Sequence, residues 1–415
     1  MKMEEDPLQA SYDGTPYHDQ RFPTLDLRRM LGIGHVLGLT PENREEAENH
    51  VRVLDLGCAS GRHICEQAQR YPGADFLGVD FSGAEVAQGQ RQIQEMGLKN
   101  CTIVQEDLRT FESQEAVYDL ILCHGVFSWV PDEAKEAILR QSERGLKPDG
   151  MTAIAYVTYP GWKQKEAFRE LLQFQLRKEQ TPEARVKRSA LLLRVLRSQF
   201  AAHDTSAQAR SLLALVESMQ RSPSNAFLHD ELGAVHDPCY FAEFVDWASE
   251  CGLDYLAEAE LYTMSLDGLP AEAREPLRRL APDFLETQQI LDFMVNRSGR
   301  TSLLCRTGSS AGRALLEDRL DGVEYTTEFI RQSSDHAENA VKYATVHGRE
   351  VGVGDPVQQL FLDRLFEAMP GPLAHKDLCE GLSTSEGSGA LCEMIRRGLA
   401  IPLGGGPELG ESIRD

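Results

Sequence analysis

An α/β fold built on a doubly wound parallel sheet is what the sequence predicts, and three observations predict it. Short apolar runs of the buried-strand kind alternate with helical patterns between residues 51 and 157. A glycine-bearing turn, LDLGCASG, joins the first of these strands to the first helix. Acidic residues then close the second strand, in GVDFS, and the third, in VQEDLRTF.

The elements follow in order. Residues 1–24 read as an extended polar arm carrying Tyr12, Tyr17 and Phe22. An apolar pattern from Leu25 to Leu39 predicts a helix, and ENREEAENH (42–50) is a charged stretch. Strands are expected at 51–56, 74–79, 101–105, 117–123 and 151–157, with helices at 61–71, 83–96 and 132–145. That βαβαβ rhythm puts helices on both faces of a parallel sheet. The block 163–220, rich in Leu, Ala, Gln and Arg, reads as helix throughout and hence as an insertion. FAEFVDWASECG (241–252) is an amphipathic helix ended by Gly252. YLAEAEL (255–261) and TSLLCRT (301–307) read as strands that return to complete the first sheet. VEYTTEFI (323–330) and AVKYATVH (340–347) suggest two more strands, followed by three helices and a terminal strand in a winged-helix-like order. The expected divisions are an arm and helix (1–44), a ligand-binding core (45–162), a helical insertion for regulation or dimerisation (163–239), completion of the sheet (240–307), a C-terminal mixed and winged-helix-like domain (308–405) and a tail (406–415).

Bulk properties narrow the function classes. The chain has 415 residues, 41% hydrophobic and 26% charged, a soluble globular balance too long for one ordinary domain. Its net charge of −22 repels nucleic-acid phosphates, and the C-terminal unit offers no basic recognition helix. The same charge suits a cationic or lysine-bearing partner, although general solubility is the more ordinary account of it. No run approaches the roughly 18 apolar residues of a membrane span. The N-terminal MKMEEDPLQ lacks the apolar segment of a secretory signal. Nine cysteines without a CxxC pair fit free thiols in a reducing compartment, so a cytoplasmic location is expected. Cys58, His63 and Cys65 lie on the strand–helix turn, and no metal is expected there.

The chemistry converges on the strand ends. Asp55, Gly57, Ala59, Ser60 and Gly61 occupy the first turn, where glycines admit a ligand close to the backbone and the helix N-terminus offers free N–H donors. The spacing is G-x-x-x-G with an aspartate two residues before it, not the GxGxxG of dinucleotide sites. That form suits S-adenosylmethionine (SAM). Asp80, followed by Phe81, is placed to accept hydrogen bonds from both ribose hydroxyls. Asp107 is placed to accept from the adenine amino group, with Leu108 against the ring. The fourth strand ends in LILCHGVFSWVPDE, which brings His124, Gly125, Ser128 and Trp129 to the position of the reactive methyl. The fifth ends in AYVTYPGWK, with Tyr156, Tyr159, Trp162 and Lys163. Each aromatic taken alone reads as core packing; together at neighbouring strand ends they read as a pocket.

These residues resemble the bacterial class I methyltransferases that carry a methyltransferase regulatory domain, which include the rickettsial protein lysine methyltransferases. SYDGTPYHDQRFP is similar to that family's N-terminal arm, VLDLGCASG to its SAM loop, HGVFSWVP to its H-G-V-Y-S-W-V-P signature, and TYPGW to its fifth-strand end. LHDEL and YFAEFVDWASECGLDYLAEA match its later stretch. The sequence departs from the pattern at Ala59, at Thr24–Leu27, at Val157 and at Lys163. The resemblance implies a Rossmann-like class I methyltransferase sheet and methyl transfer from SAM to an amine, a protein lysine before others. His124, Trp129, Tyr159, Trp162, Tyr12 and Tyr17 then become the candidate catalytic residues. The aromatic faces hold a sulfonium or methylated amine, the arm tyrosines exclude water, and His124 serves as base or as support. Two alternatives stay open: a peptide or small-molecule N- or O-methyltransferase, and a SAM-binding scaffold without catalysis. The Ala/Leu-rich insertion also permits a homodimer.

Overall fold

The computed structural model describes residues 13, 14, 17, 21–39, 51–179, 181–203, 206–223, 226–233, 235–315, 317–332 and 340–404. The expectation for Tyr12 lies outside the described residues, as does that for the tail after 404.

The apolar alternation builds a seven-stranded sheet. Its strands are β1 (Val51–Leu56), β2 (Ala74–Asp80), β3 (Cys101–Gln105), β4 (Tyr118–Cys123), β5 (Leu146–Val157), β6 (Leu253–Glu258) and β7 (Gly299–Arg306). The order is β3-β2-β1-β4-β5-β7-β6. The first five run parallel, while β7 lies antiparallel to both β5 and β6. β1, VRVLDL, sits at the middle and is buried over almost its whole length, as a run apolar on both faces requires. The order reverses direction between β1 and β4, so a crevice opens beyond the carboxyl ends of these strands, where ligands of doubly wound sheets bind. The strands read from sequence correspond to these, and the two late ones do return to extend the sheet.

Helices flank the sheet: α1 (Leu27–Val36), α2 (Arg62–Arg70), α3 (Gly83–Met96), α4 (Asp132–Gly145) and, after the insertion, Phe241–Glu250. Asp26 caps α1 and ties it to α2, accepting from Arg28 N and from the hydroxyl of Tyr71 at 2.9 Å. The glycine at position 78 lets the first turn lie on β2, since a Cβ there would stand 2.6 Å from Cys58 Sγ.

The block read as helix throughout comprises three helices: Trp162–Leu176, Pro182–Ala201 and Ala207–Arg221. Pro182 starts the second, and Thr181 caps it through Ala184 N. These helices close a small core of their own around Leu172, Leu193, Val216 and Phe227. Two further helices, Ala271–Leu280 and Phe284–Val295, fill the segment before β7. The C-terminal part holds one three-stranded antiparallel sheet of Glu324–Thr326, Leu373–Ala374 and Ile401–Leu403, and a second of Ile330–Arg331, Val341–Ala344 and Glu350–Val353. The first sheet packs on α1 so closely that a Cβ on Gly32 would stand 2.3 Å from the Pro402 carbonyl oxygen. One apolar core therefore runs from the main sheet through α1 into the C-terminal part.

Candidate active site

The first turn folds tightly for a stated reason at each position. Gly57 and Gly61 take φ of 78° and 68°, and Ala59 takes φ of 49°. All three lie in the left-handed region that a side chain disfavours. Side chains at the glycines would also collide, at 2.4 Å from Val126 Cγ2 for Gly57 and 2.2 Å from Ile103 Cδ1 for Gly61. Ala59, where the family pattern has glycine, is held by its N–H, which donates to Asp80 Oδ2 at 2.9 Å. Asp80 Oδ1 accepts from Ser82 N at 2.9 Å. The second strand end thus fixes the shape of the first turn.

A cavity of about 340 Å³ opens on this turn. Asp55, Gly57, Ala59, Ser60, Asp80, Phe81, Asp107, Leu108, His124, Gly125, Trp129 and Tyr17 all line it, as does Phe22. Gly61 stands behind the wall as the first cap of α2. The volume falls within the roughly 300–1,000 Å³ of small-molecule sites. The Asp55 carboxylate accepts no hydrogen bond from another described residue. Burial, with the Asp80 charge second, pushes its carboxyl up to about 7. Burial also raises the Asp80 carboxyl, against the pull of its backbone donors at Ser82, Ala59 and Phe81. Both carboxylates keep lone pairs for hydrogen-bond donors of a ligand. Asp107 is further committed: its carboxylate is gripped by Arg109, with Nε at 2.9 Å from Oδ2, which lowers its pKa.

The arm closes one side. Asp13 accepts from Ser82 Oγ at 2.6 Å and from Ala84 N at 3.2 Å. Tyr17 N donates to Glu85 at 2.7 Å, while its hydroxyl reaches Asp230 at 3.2 Å. Tyr17 thereby bridges the start of α3 and the HDEL segment. Phe22 lies over the His124 ring with centroids 3.6 Å apart. His124 Nδ1 is buried without a partner. Burial, helped by the proximity of His63, holds this imidazole down to about 4. A base so weak is a poor proton acceptor from a substrate ammonium, so its lone pair is better suited to receiving a hydrogen bond.

The fifth-strand aromatics depart from expectation. Neither Tyr159 nor Trp162 lines the cavity. The Tyr159 hydroxyl donates to Glu166 at 2.9 Å, and Lys163 Nζ stands 3.6 Å from its ring centroid, so its face is already covered by a cation. Trp162 is buried behind Trp129, edge-on at 6.1 Å, with Lys165 at 4.0 Å over its ring. Tyr156 stacks on Phe244 at 4.1 Å within the core. Of these aromatics only Trp129 lines this cavity, whereas Tyr156 stands with Trp129 on the wall of a neighbouring chamber.

Sequence reasoning missed a second chamber, of about 310 Å³, that shares His124, Gly125 and Trp129 with the first. Thr24, Glu258, Glu260 and Thr263 stand on its wall. The acids of YLAEAEL were a usable signal, since Glu258 and Glu260 alternate at the end of a strand. Beneath the chamber lies a buried charge network. Arg300 Nη1 meets Glu258 at 2.6 Å and Arg300 Nη2 meets Asp292 at 2.7 Å. Among the described residues no group of three or more His, Cys, Asp or Glu is arranged to hold a metal, and no described helix is long and apolar enough to cross a membrane.

Comparison with known proteins agrees with this geometry. A methyltransferase domain model matches residues 53–150, and the model described as "Predicted methyltransferase regulatory domain" matches residues 223–306. The chain thus carries a segment similar to methyltransferase domains, followed by one similar to that regulatory domain. SAM is the cofactor of such methyltransferase domains, and the glycine cradle, the unpaired Asp55 carboxylate and the cavity size fit it. Rickettsial proteins are among its relatives. Protein RP789 of Rickettsia prowazekii is 29% identical over 74% of this chain and 54% of its own length. Protein RP028 of the same organism is 29% identical over 58% of this chain and 94% of its own. The chain therefore spans about half the length of the first relative. The structure of PKMT2 from Rickettsia typhi in complex with AdoHcy superposes with a TM-score of 0.78 at 23% identity, covering 94% of this chain and 77% of that one. That likeness is one of fold.

Proposed function

We propose that this protein transfers a methyl group from SAM to an amine, and that the amine is a lysine side chain of a protein. The observation that carries the reading is the meeting of two cavities at His124, Gly125 and Trp129, one cradled by the glycine turn and the other walled by Glu258 and Glu260. The name of the rickettsial neighbour, PKMT2, and its complex with AdoHcy support the same class of chemistry.

SAM, when bound, supplies a methyl on a sulfonium, so that an N–C bond forms as the S–C bond breaks and S-adenosylhomocysteine leaves. The chain's own task is alignment and desolvation. Asp55 and Asp80, which line the cavity, would accept hydrogen bonds from polar hydrogens of the donor, and the N–H groups at the start of α2 would face it. Trp129 offers an aromatic face to positive charge where the cavities meet. Phe22 and Tyr17 cover the site and exclude water. A lysine with an ordinary pKa near 10.4 must lose its proton before attack, and a buried site favours the neutral amine. His124, neutral at physiological pH, accepts a hydrogen bond there and does not need to hold the proton.

A second reading has an observation of its own. Trans-aconitate 2-methyltransferase of Escherichia coli is 31% identical over 111 residues, 27% of this chain and 41% of its own. A polycarboxylate acceptor would be repelled by Glu260, which has no ion pair among the described residues. Incubating the full chain with methyl-tritiated SAM and a cell lysate separates the readings. Label in protein bands supports the first, and label confined to small molecules removes it.

A further inference from the structure

The second chamber carries an inference about what enters it. Its charges do not balance. Arg300 is spent on Glu258 and Asp292. Arg297 is spent on Asp292 at 2.6 Å and on the Thr263 carbonyl at 2.6 Å. The Glu260 carboxylate accepts from the Tyr262 hydroxyl at 3.3 Å, and no lysine or arginine stands within ion-pair distance of it among the described residues; Arg349, which lies over the Tyr262 ring, acts on it only through space. One half-buried carboxylate on the chamber wall therefore lacks a direct ion pair among the described residues. A second observation points the same way: the orphaned Nδ1 belongs to His124, whose ring lines the passage between the two cavities.

We propose that this chamber is the binding site for a primary ammonium on an aliphatic stem, with Glu260 as its counter-ion. The amine passes Trp129 on its way to the donor, and His124 is the hydrogen-bond acceptor at the passage. The inference rests on the amine-transfer reading and adds the route and the selecting residue. A carboxylate-bearing acceptor meets Glu260 as a like charge; an alcohol gains no ion pair from it. The two arginines on the chamber wall, Arg297 and Arg300, are already paired with Asp292 and Glu258, which leaves Glu260 as the wall carboxylate without a direct ion pair.

The test uses the full chain saturated with S-adenosylhomocysteine and n-butylammonium chloride as the probe. Binding is followed through the indole N–H resonance of Trp129, with n-butanol as the neutral control. Glu260→Gln is the first variant. Thr263→Lys is the second, because it supplies a resident ammonium beside Glu260. We expect the ammonium, not the alcohol, to shift the resonance, and each variant to weaken ammonium binding by at least about tenfold. S-adenosylhomocysteine affinity, measured by calorimetry, should stay within about twofold in both, which shows that they fold. Ammonium binding to both variants within about twofold of the unaltered chain would overturn the proposal. So would an unaltered chain that binds the alcohol equally well. The two readings fail separately. If the chamber binds ammonium through Glu260 but tritium never reaches an amine, the amine-transfer reading falls and the chamber stands. If amines are labelled and Glu260→Gln binds as before, the chamber falls alone.

Discussion

Replacing Gly57 with alanine tests the shape of the donor cradle directly. Gly57 has φ of 78°, and an L-residue there costs roughly 1–2 kcal/mol. The new Cβ would also stand 2.4 Å from Val126 Cγ2, well inside contact distance. Valine is stiff at χ1, so it yields poorly, and such overpacking costs a further 1–3 kcal/mol or so. The sum, about 2–5 kcal/mol, appears either as lost stability or, if the turn deforms instead, as weaker S-adenosylhomocysteine binding. Urea melts and calorimetry on the same sample divide it between the two. Val126→Ala removes the colliding methyl, so the double variant should recover the clash and retain only the dihedral cost. The coupling between the two substitutions should therefore reach roughly 1–3 kcal/mol. A coupling below about 0.5 kcal/mol, meaning simple additivity, would refute the packing argument.

Three more expectations can be measured. The folded pKa of Asp55, about 7, lies above its unfolded value, so the native state holds the extra proton. Stability is then fully present below the unfolded value and falls as pH rises from about 4 to 7, by on the order of 4 kcal/mol. Asp55→Asn should abolish that slope relative to the unaltered chain in melts across the range; equal slopes would contradict it. Phe22→Ala uncovers the His124 ring and should raise its pKa from about 4 towards the ordinary histidine value, read by NMR titration. An unmoved titration would mean that Phe22 does not desolvate it. Arg300→Met strands Asp292 and Glu258 as buried carboxylates and should cost about 3–5 kcal/mol in a urea melt; a loss under about 1 kcal/mol would show that Arg297 alone suffices.

What could be read from the sequence was what local chemistry dictates. The glycine turn, Asp80 and Asp107 each sit at fixed offsets from a buried strand, and strand ends of a parallel sheet converge by topology. The misreadings have a common cause. Tyr159 and Trp162 follow the fifth strand, but nearby Lys163, Glu166 and Lys165 engage their rings and hydroxyl, contacts that helical spacing after Trp162 creates. Glu260 stands more than a hundred residues from His124 in the chain, so only the antiparallel return of β6 and β7 brings them to one chamber. Phe22 reads as an arm residue until its ring is seen on His124. The single helical block broke where Thr181 and Pro182 begin a new helix, a start signal present in the sequence. The helix Ala271–Leu280 was obscured by its internal Pro276.

Mass spectrometry of lysate proteins after incubation with the full chain and deuterated-methyl SAM locates the atom that receives the methyl, and so tests the central claim most directly. The account predicts deuterated methyl on lysine Nε, absent when SAM is omitted. Deuterium found only on carboxyl oxygens or on small molecules, from a chain that binds S-adenosylhomocysteine normally, would contradict it.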